Sequence, residues 1–249
     1  MSDPAVAAST PPSPHVAARD MTGSVTEAVA AAVAGGALGA AVSSLVGMPV
    51  LGGVVGAANG AISGRRGVYD WSTVTGTGAF VLDSTWSLFN TATALAAHAF
   101  GAVRGAPDYQ RRLSFRQNRH VYGRGFQPRK GFAITLGNVI NGAGDTSRAR
   151  RVKLITDHEN VHVWQSRWFG PAFAPLYIGW IAGGAVCGAA IWLVARRDEP
   201  FGKVVESCAY YVNPFEYWAY SRDGYWPPNQ LLEGLGPSRP AVRSFASLR

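Results

Sequence analysis

The residues best suited to chemistry are His158, Glu159 and His162, which read His-Glu-x-x-His. On a helix, side chains four residues apart stack on one face, so the two imidazoles can converge on one metal ion. Glu159 is rotated off that axis, where a carboxylate serves as general base towards a metal-activated water. With five His and six Glu in 249 residues, chance yields this pattern roughly 0.002 times. The competing reading is a pair of helical histidines satisfied by core hydrogen bonds, and a third ligand decides between them. Catalytic zinc takes three protein ligands and keeps one position open. Glu206 and Glu216 are the candidates downstream. Asn213-Pro214 marks a helix start with Pro at its first position, which puts Glu216 in the first turn among aromatic residues that can exclude water. Glu206 lies in a less patterned stretch, so Glu216 is preferred. Tyr211, Tyr220 and His120 are candidates to assist an oxyanion, and the sequence does not choose among them.

These residues need elements to hold them. Residues 151–156 lead into the motif helix, Val161, Trp164 and Trp168 give it an apolar face, and Gly170-Pro171 stops it. Residues 131–140 read as one strand, bounded by Gly131 and an Asn141-Gly142 turn. Further upstream, Asp83 reads as the N-cap of a helix from Ser84 to about Val103. Trp86, Phe89, Leu95, Ala96, Phe100 and Val103 form its apolar stripe, and His98 within it reads as structural.

Two apolar regions point to a membrane. Residues 28–47 are Ala-rich, and 50–63 follow after Pro49. Gly52, Gly56, Gly60 and Gly64 recur every four residues, which lets two helices, or two copies of the chain, approach closely. The pattern resembles the glycine-zipper hairpins of bacterial envelope proteins. As a helix the second run is about 21 Å long, short of a ~30 Å hydrocarbon core. Residues 173–195 carry no formal charge and meet the length of a span, although Pro175 and Gly183-Gly184 can break it. A single crossing would strand Glu216 on the far side from His158 and His162. The block is therefore expected as a hairpin, a surface-lying helix or a buried helix, with Arg196-Arg197 on the near side.

Net charge is +8 and mean hydropathy +0.04, with the charge concentrated in one place. Residues 104–153 hold twelve basic and two acidic side chains, while 154–249 balance at eight of each. Aromatics interleave with those basics, which suits either single-stranded nucleic acid or an anionic membrane surface. The neighbouring apolar runs favour lipid over nucleic acid. The positive-inside rule then puts the segment and the metal motif on the cytoplasmic face. Cys187 and Cys208 are too few for a disulfide framework and read as buried thiols. The first 19 residues lack a basic stretch followed by an apolar core, so no secretory signal is expected.

His158-Glu159-x-x-His162-Val163-Trp164-Gln165, then Phe169-Gly170-Pro171, then Asn213-Pro214-Phe215-Glu216-x-x-Ala219-Tyr220, resembles a group of bacterial gluzincin-like peptidases, with Thr135-Leu136-Gly137-Asn138 similar to their preceding strand. The resemblance covers roughly residues 120–225. It implies zinc on His158, His162 and Glu216, Glu159 as base, and a strand whose edge receives an extended peptide. The expected fold is α+β: a disordered tail (1–24), a glycine-zipper hairpin (25–67), an amphipathic helical linker (68–104), a small zincin-like domain (105–225, apolar insert 172–195) and a C-terminal tail (226–249). The expected function is a membrane-associated zinc peptidase. The alternatives are a zinc-stapled structural envelope protein and a basic nucleic-acid-binding module.

Overall fold

The computed structural model describes residues 21–103, 108–127 and 131–244. Residues 1–20 of the expected tail, and Arg104, Arg129 and Lys130 of the basic segment, lie outside them. The architecture is mainly helical, with a small mixed three-stranded sheet, and so α+β.

Helices α1 (Val25–Ser44) and α2 (Pro49–Arg66) form a hairpin. The Ser24 hydroxyl caps α1 by accepting from the Glu27 amide at 2.9 Å, and Pro49 opens α2. Gly52, Gly56, Gly60 and Gly64 all face α1, opposite Gly39, Gly35, Ala31 and Ala28. A Cβ at Gly64 would stand 2.7 Å from the Ala28 Cα, and one at Gly56 would overlap the Gly35 carbonyl. The spacing of four thus serves packing within the chain, and an oligomer through the same glycines would have to displace α1. Gly56→Ala is expected to destabilise the fold by about 1–3 kcal/mol through overpacking. Gly53→Ala, whose Cβ would meet the Ala40 Cβ at an ordinary 3.4 Å, should be neutral or stabilising. Thermal unfolding of the pair checks this, and equal losses would refute the close-contact account.

Helices α3 (Val74–Ser84) and α4 (Leu88–Val103) correct two expectations. Asp83 caps nothing, since it sits at the end of α3 and α4 begins only at Leu88. Its buried carboxylate instead receives Arg167 Nε and Nη2, both at 2.8 Å, and the Tyr69 hydroxyl at 2.7 Å. The face of α4 that packs inward is Asn90, Thr91, Ala94 and Ala97, while Phe89 and Phe100 are exposed. Small side chains win there because the turn at Gly137 comes so close that a Cβ on it would overlap the Asn90 carbonyl.

After the short helix α5 (Arg111–Ser114) come strands β1 (His120–Val121), β2 (Ile134–Leu136) and β3 (Val139–Asn141). The order is β1-β3-β2: β1 runs parallel to β3 (His120 opposite Val139) and β2 antiparallel to it (Thr135 opposite Ile140). The single strand expected over 131–140 is therefore a tight β2–β3 hairpin. Gly137 takes φ +54, and Asn138 is anchored inward on Asn59 (3.0 Å) and Asp83 (3.2 Å). Val121, Ile140, Ala143, Ile155 and Val163 make the core between sheet and motif helix.

From residue 149 to 222 the chain is helical: α6 (Ala149–Lys153), a π-turn (Leu154–Glu159), α7 (Asn160–Phe169), a 3-10 turn, α8 (Phe173–Ala195), α9 (Phe201–Glu206), a second π-turn (Ser207–Tyr211) and α10 (Pro214–Arg222), and residues 223–244 follow as turns and bends. Neither Pro175 nor Gly183-Gly184 breaks α8. Pro175 falls in the first turn, where its missing N–H costs nothing. The chain then doubles back along α8. Gly188 packs on Val204–Val205, Gly184 on Cys208–Ala209, and Trp192 Nε1 donates to the Glu199 carbonyl at 2.9 Å. Residues 173–195 are thus one unbroken helix and not a hairpin in themselves; the hairpin is made by α8 with the returning segment 201–211. Only Gly188 of α8 is buried. For that reason Cys187 is exposed and Cys208 only partly covered, against the expectation of buried thiols.

Candidate metal centre

The first histidine of the motif lies in the π-turn and the second in α7, so the motif is not one regular α-helix. Consecutive β-branched residues, Ile155 and Thr156, precede it, and such turns are frequent at functional sites. Convergence survives the irregularity. His158 Nε2 and His162 Nε2 stand 3.3 Å apart. Glu216 enters from α10, where the Asn213 side chain accepts from the Phe215 amide at 3.1 Å and Pro214 fills the first helical position, as expected. Its Oε2 lies 3.4 Å from His158 Nε2 and its Oε1 3.2 Å from His162 Nε2.

These three separations test whether an ion fits. Two ligands held at 2.0–2.1 Å in a tetrahedron lie about 3.3–3.4 Å apart; the two histidine nitrogens, at 3.3 Å, match this, and Glu216 reaches each histidine with a different one of its two oxygens. All three residues are buried, and Glu216 Oε2 and His158 Nδ1 make no hydrogen bond. Buried polar atoms left in this state need a partner. His158, His162 and Glu216 can together hold a metal ion. Glu206, the alternative third ligand, ends α9 and is not in this group.

The surroundings orient the ligands. His162 Nδ1 pairs with Gln165 Oε1 at 2.8 Å, and Gln165 Nε2 donates to the Phe215 carbonyl at 3.0 Å. That chain fixes the tautomer that turns the Nε2 lone pair inward and ties α7 to α10. Behind His158, the Asp223 carboxylate lies 3.6 Å from Nδ1 and is held by both terminal nitrogens of Arg150 at 3.1 Å. At 3.6 Å this is a charge contact rather than a hydrogen bond. The Tyr177 hydroxyl, from the fifth residue of α8, donates to Glu216 Oε1 at 2.6 Å. Glu159 Oε2 accepts from Thr135 Oγ1 at 2.7 Å, which places the carboxylate against edge strand β2.

Burial alone would lower the pKa of both histidines. The Asp223 and Glu216 carboxylates outweigh it at His158, pushing it up to about 10, and Glu216 also raises His162. Burial works to raise Glu216, but the two imidazoles prevail and hold it below the usual carboxylate range. Burial, then the Glu216 charge, push the phenols of Tyr210 and Tyr220 upward, so both remain proton donors.

Of the three candidates for oxyanion assistance, Tyr220 is beside the centre, its ring 4.5 Å from that of His158. Tyr211 touches Tyr220 from behind (6.1 Å). His120 is elsewhere, bonded to Ser63 and Tyr109 at 3.0 Å each. Tyr177, Asp223, Gln165 and Thr135 had no role assigned from sequence. Asp223 was findable, since it follows Glu216 by seven residues and so shares its helix face. Tyr177 sat unmarked inside an apolar run. Asp223→Ala and Gln165→Ala are each expected to weaken metal binding about 10–100-fold, as read by chelator competition. Unchanged affinity in both would show that neither orients a ligand.

Comparison of the chain with protein-family models, with curated proteins and with solved structures gave no match.

Proposed function

We propose that this protein is a zinc-dependent peptidase attached to a membrane. The observation that carries the reading is the buried group of His158, His162 and Glu216, close enough to share one ion, beside a Glu159 carboxylate held on an edge strand. Imidazole nitrogens with one carboxylate suit Zn2+, which when bound supplies Lewis acidity in a site of this composition. The chain's own residues do the rest. Glu159 takes the proton of the attacking water and returns it to the departing amine. Thr135 fixes one oxygen of that carboxylate and so its aim. The Tyr220 phenol supplies a hydrogen bond to the developing oxyanion. Strand β2, at the sheet edge, offers backbone pairing to an extended peptide.

Glu159→Gln is the deciding variant. It should retain metal while peptide hydrolysis, followed with a fluorogenic peptide library, falls at least about 1,000-fold. One observation favours a second reading, a zinc-stabilised structural protein: His158, Glu159, His162 and Glu216 are all buried. Metal-loaded wild type with no activity above the Glu159→Gln variant would establish that alternative.

Membrane attachment rests on composition and exposure. Two helical stretches, Val25–Ser44 and the α8 end of Ala149–Ala195, are long and apolar enough to cross a bilayer, with mean hydropathies of 1.6 and 1.9. Because α9 and the second π-turn return the chain along α8, attachment through α8 leaves both halves of the metal centre on one side. The cytoplasmic side agrees with Arg196-Arg197 and with exposed Arg111, Arg112, Arg124 and Arg148, which suit anionic lipid. Not all of the basic segment is available for lipid. Arg119 is buried, and Arg116 makes a bidentate pair with Glu27 at 2.6 and 2.8 Å.

A further inference from the structure

The turn of the α1–α2 hairpin is apolar on every side. Leu45, Val46, Met48, Val50, Leu51 and Val54 are 57–84% exposed, and no formal charge occurs between Glu27 and Arg65. Burial of six such side chains gives the strongest free-energy gradient on this part of the surface. A second copy of the chain presents one face, whereas these residues point in different directions: Val50 and Leu51 alone are about 100° apart around α2. A medium that surrounds the tip covers all of them, and that medium is lipid.

The depth is limited by where the hairpin leaves the body. On α1 the last residue packed against the buried Ala31–Tyr69–Ala79–Phe80 cluster is Leu38, and on α2 the last buried apolar side chain is Val55. Seven residues separate each from the tip, a reach of about 11 Å. A bilayer core is ~30 Å thick, so this is less than one leaflet. The opposite end of the hairpin is polar: Glu27 holds Arg116 and accepts from Trp71 Nε1 at 2.8 Å, and Arg65 is exposed.

We propose that the α1–α2 tip is a shallow, tip-first insert into the leaflet that faces the protein, and that it does not cross the membrane. The inference rests on the membrane attachment proposed above and is independent of the metal chemistry. Because α8 exposes its own apolar surface, sedimentation with vesicles cannot isolate the tip, and the readout must be local. Single substitutions Val25→Cys, Val33→Cys and Val46→Cys, all at exposed sites, are made in the full chain carrying Cys187→Ser and Cys208→Ser. Each is mixed with preformed phosphatidylcholine vesicles containing phosphatidylglycerol. Labelling at position 46 by a membrane-impermeant maleimide should slow at least tenfold on vesicle binding, at position 33 less, and at position 25 little. A fluorophore at position 46 should be quenched best by lipids brominated in the upper half of the acyl chain. Reaction of position 46 with reagent trapped inside the vesicles would mean a crossing and overturn the proposal. Equal protection at 25 and 46 would mean a flat-lying hairpin and also overturn it. Protection without vesicles that grows with protein concentration would make the tip a self-association surface, again against it. Vesicle-bound protein with position 46 fully reactive defeats this inference alone, whereas no vesicle binding defeats the attachment beneath it.

Discussion

Arg167→Ala is expected to destabilise the protein by about 3–5 kcal/mol, the cost of stranding a buried partner charge. The Arg167 side chain has no exposed surface and that of Asp83 2%. Together they make a planar, bidentate pair, extended by the Tyr69 hydroxyl, the Asn138 amide and the Asn118 carbonyl, the last at 2.6 Å from Arg167 Nη2. The pair joins the end of α3 to α7, five residues beyond His162, so its loss should loosen the metal centre as well. Asp83→Ala should cost as much, for the same reason. A double Arg167→Met, Asp83→Leu variant removes both charges and should lose less than the two single losses added. Denaturant unfolding of the three variants gives the comparison, and single losses below about 1 kcal/mol would mean that the pair is not what locks α7 in place.

The second large effect concerns the ion. About one zinc per chain is expected, falling below about a tenth in His158→Ala, His162→Ala and Glu216→Ala, while Glu159→Gln keeps it. Elemental analysis after dialysis reads this directly. Stoichiometric zinc in Glu216→Ala would reject the ligand assignment. The same site predicts a pH dependence. Without metal, His158 is protonated up to about pH 10, yet it binds metal only as the neutral imidazole. Apparent zinc affinity should therefore rise with pH through neutrality, about tenfold per unit for each proton displaced. The sign for the metal-free fold is opposite. A histidine with a raised pKa contributes its full stabilisation below the free-imidazole value of ~6.5 and none above the folded-state value. Glu216, held low, adds stability above the usual carboxylate range and loses it as pH falls through its own pKa. Affinity flat from pH 6 to 9 would contradict both the assignment of His158 as a ligand and its carboxylate surroundings.

What the sequence determined by itself was local. The four-residue step from His158 to His162 brings two imidazoles together even through a π-turn, because one turn of either helix stacks them. Asn213-Pro214 specifies a helix start through its own cap, and so the level of Glu216. The glycines at every fourth position of α2 can meet only a close neighbour, and the nearest in sequence, α1, is the one they meet. The demand that Glu216 rejoin the histidines requires the chain to return after residues 173–195, and its path back along α8 through α9 and the second π-turn does so. Tertiary structure decided what depends on distant partners. Asp83 has the type and position of an N-cap, and only an arginine 84 residues away claims it for a buried pair. Residues 131–140 have the composition of one strand. Asn138 breaks them in two because α2 and α3 offer it buried partners, whose bonds outweigh a continuous ladder. Tyr177 reads as one more residue of an apolar helix until α8 is folded over α10 and its hydroxyl meets Glu216. Periodicity and caps act within a few residues and are written in neighbouring letters. Burial, and the partners that make a buried polar group tolerable, are properties of the packed chain.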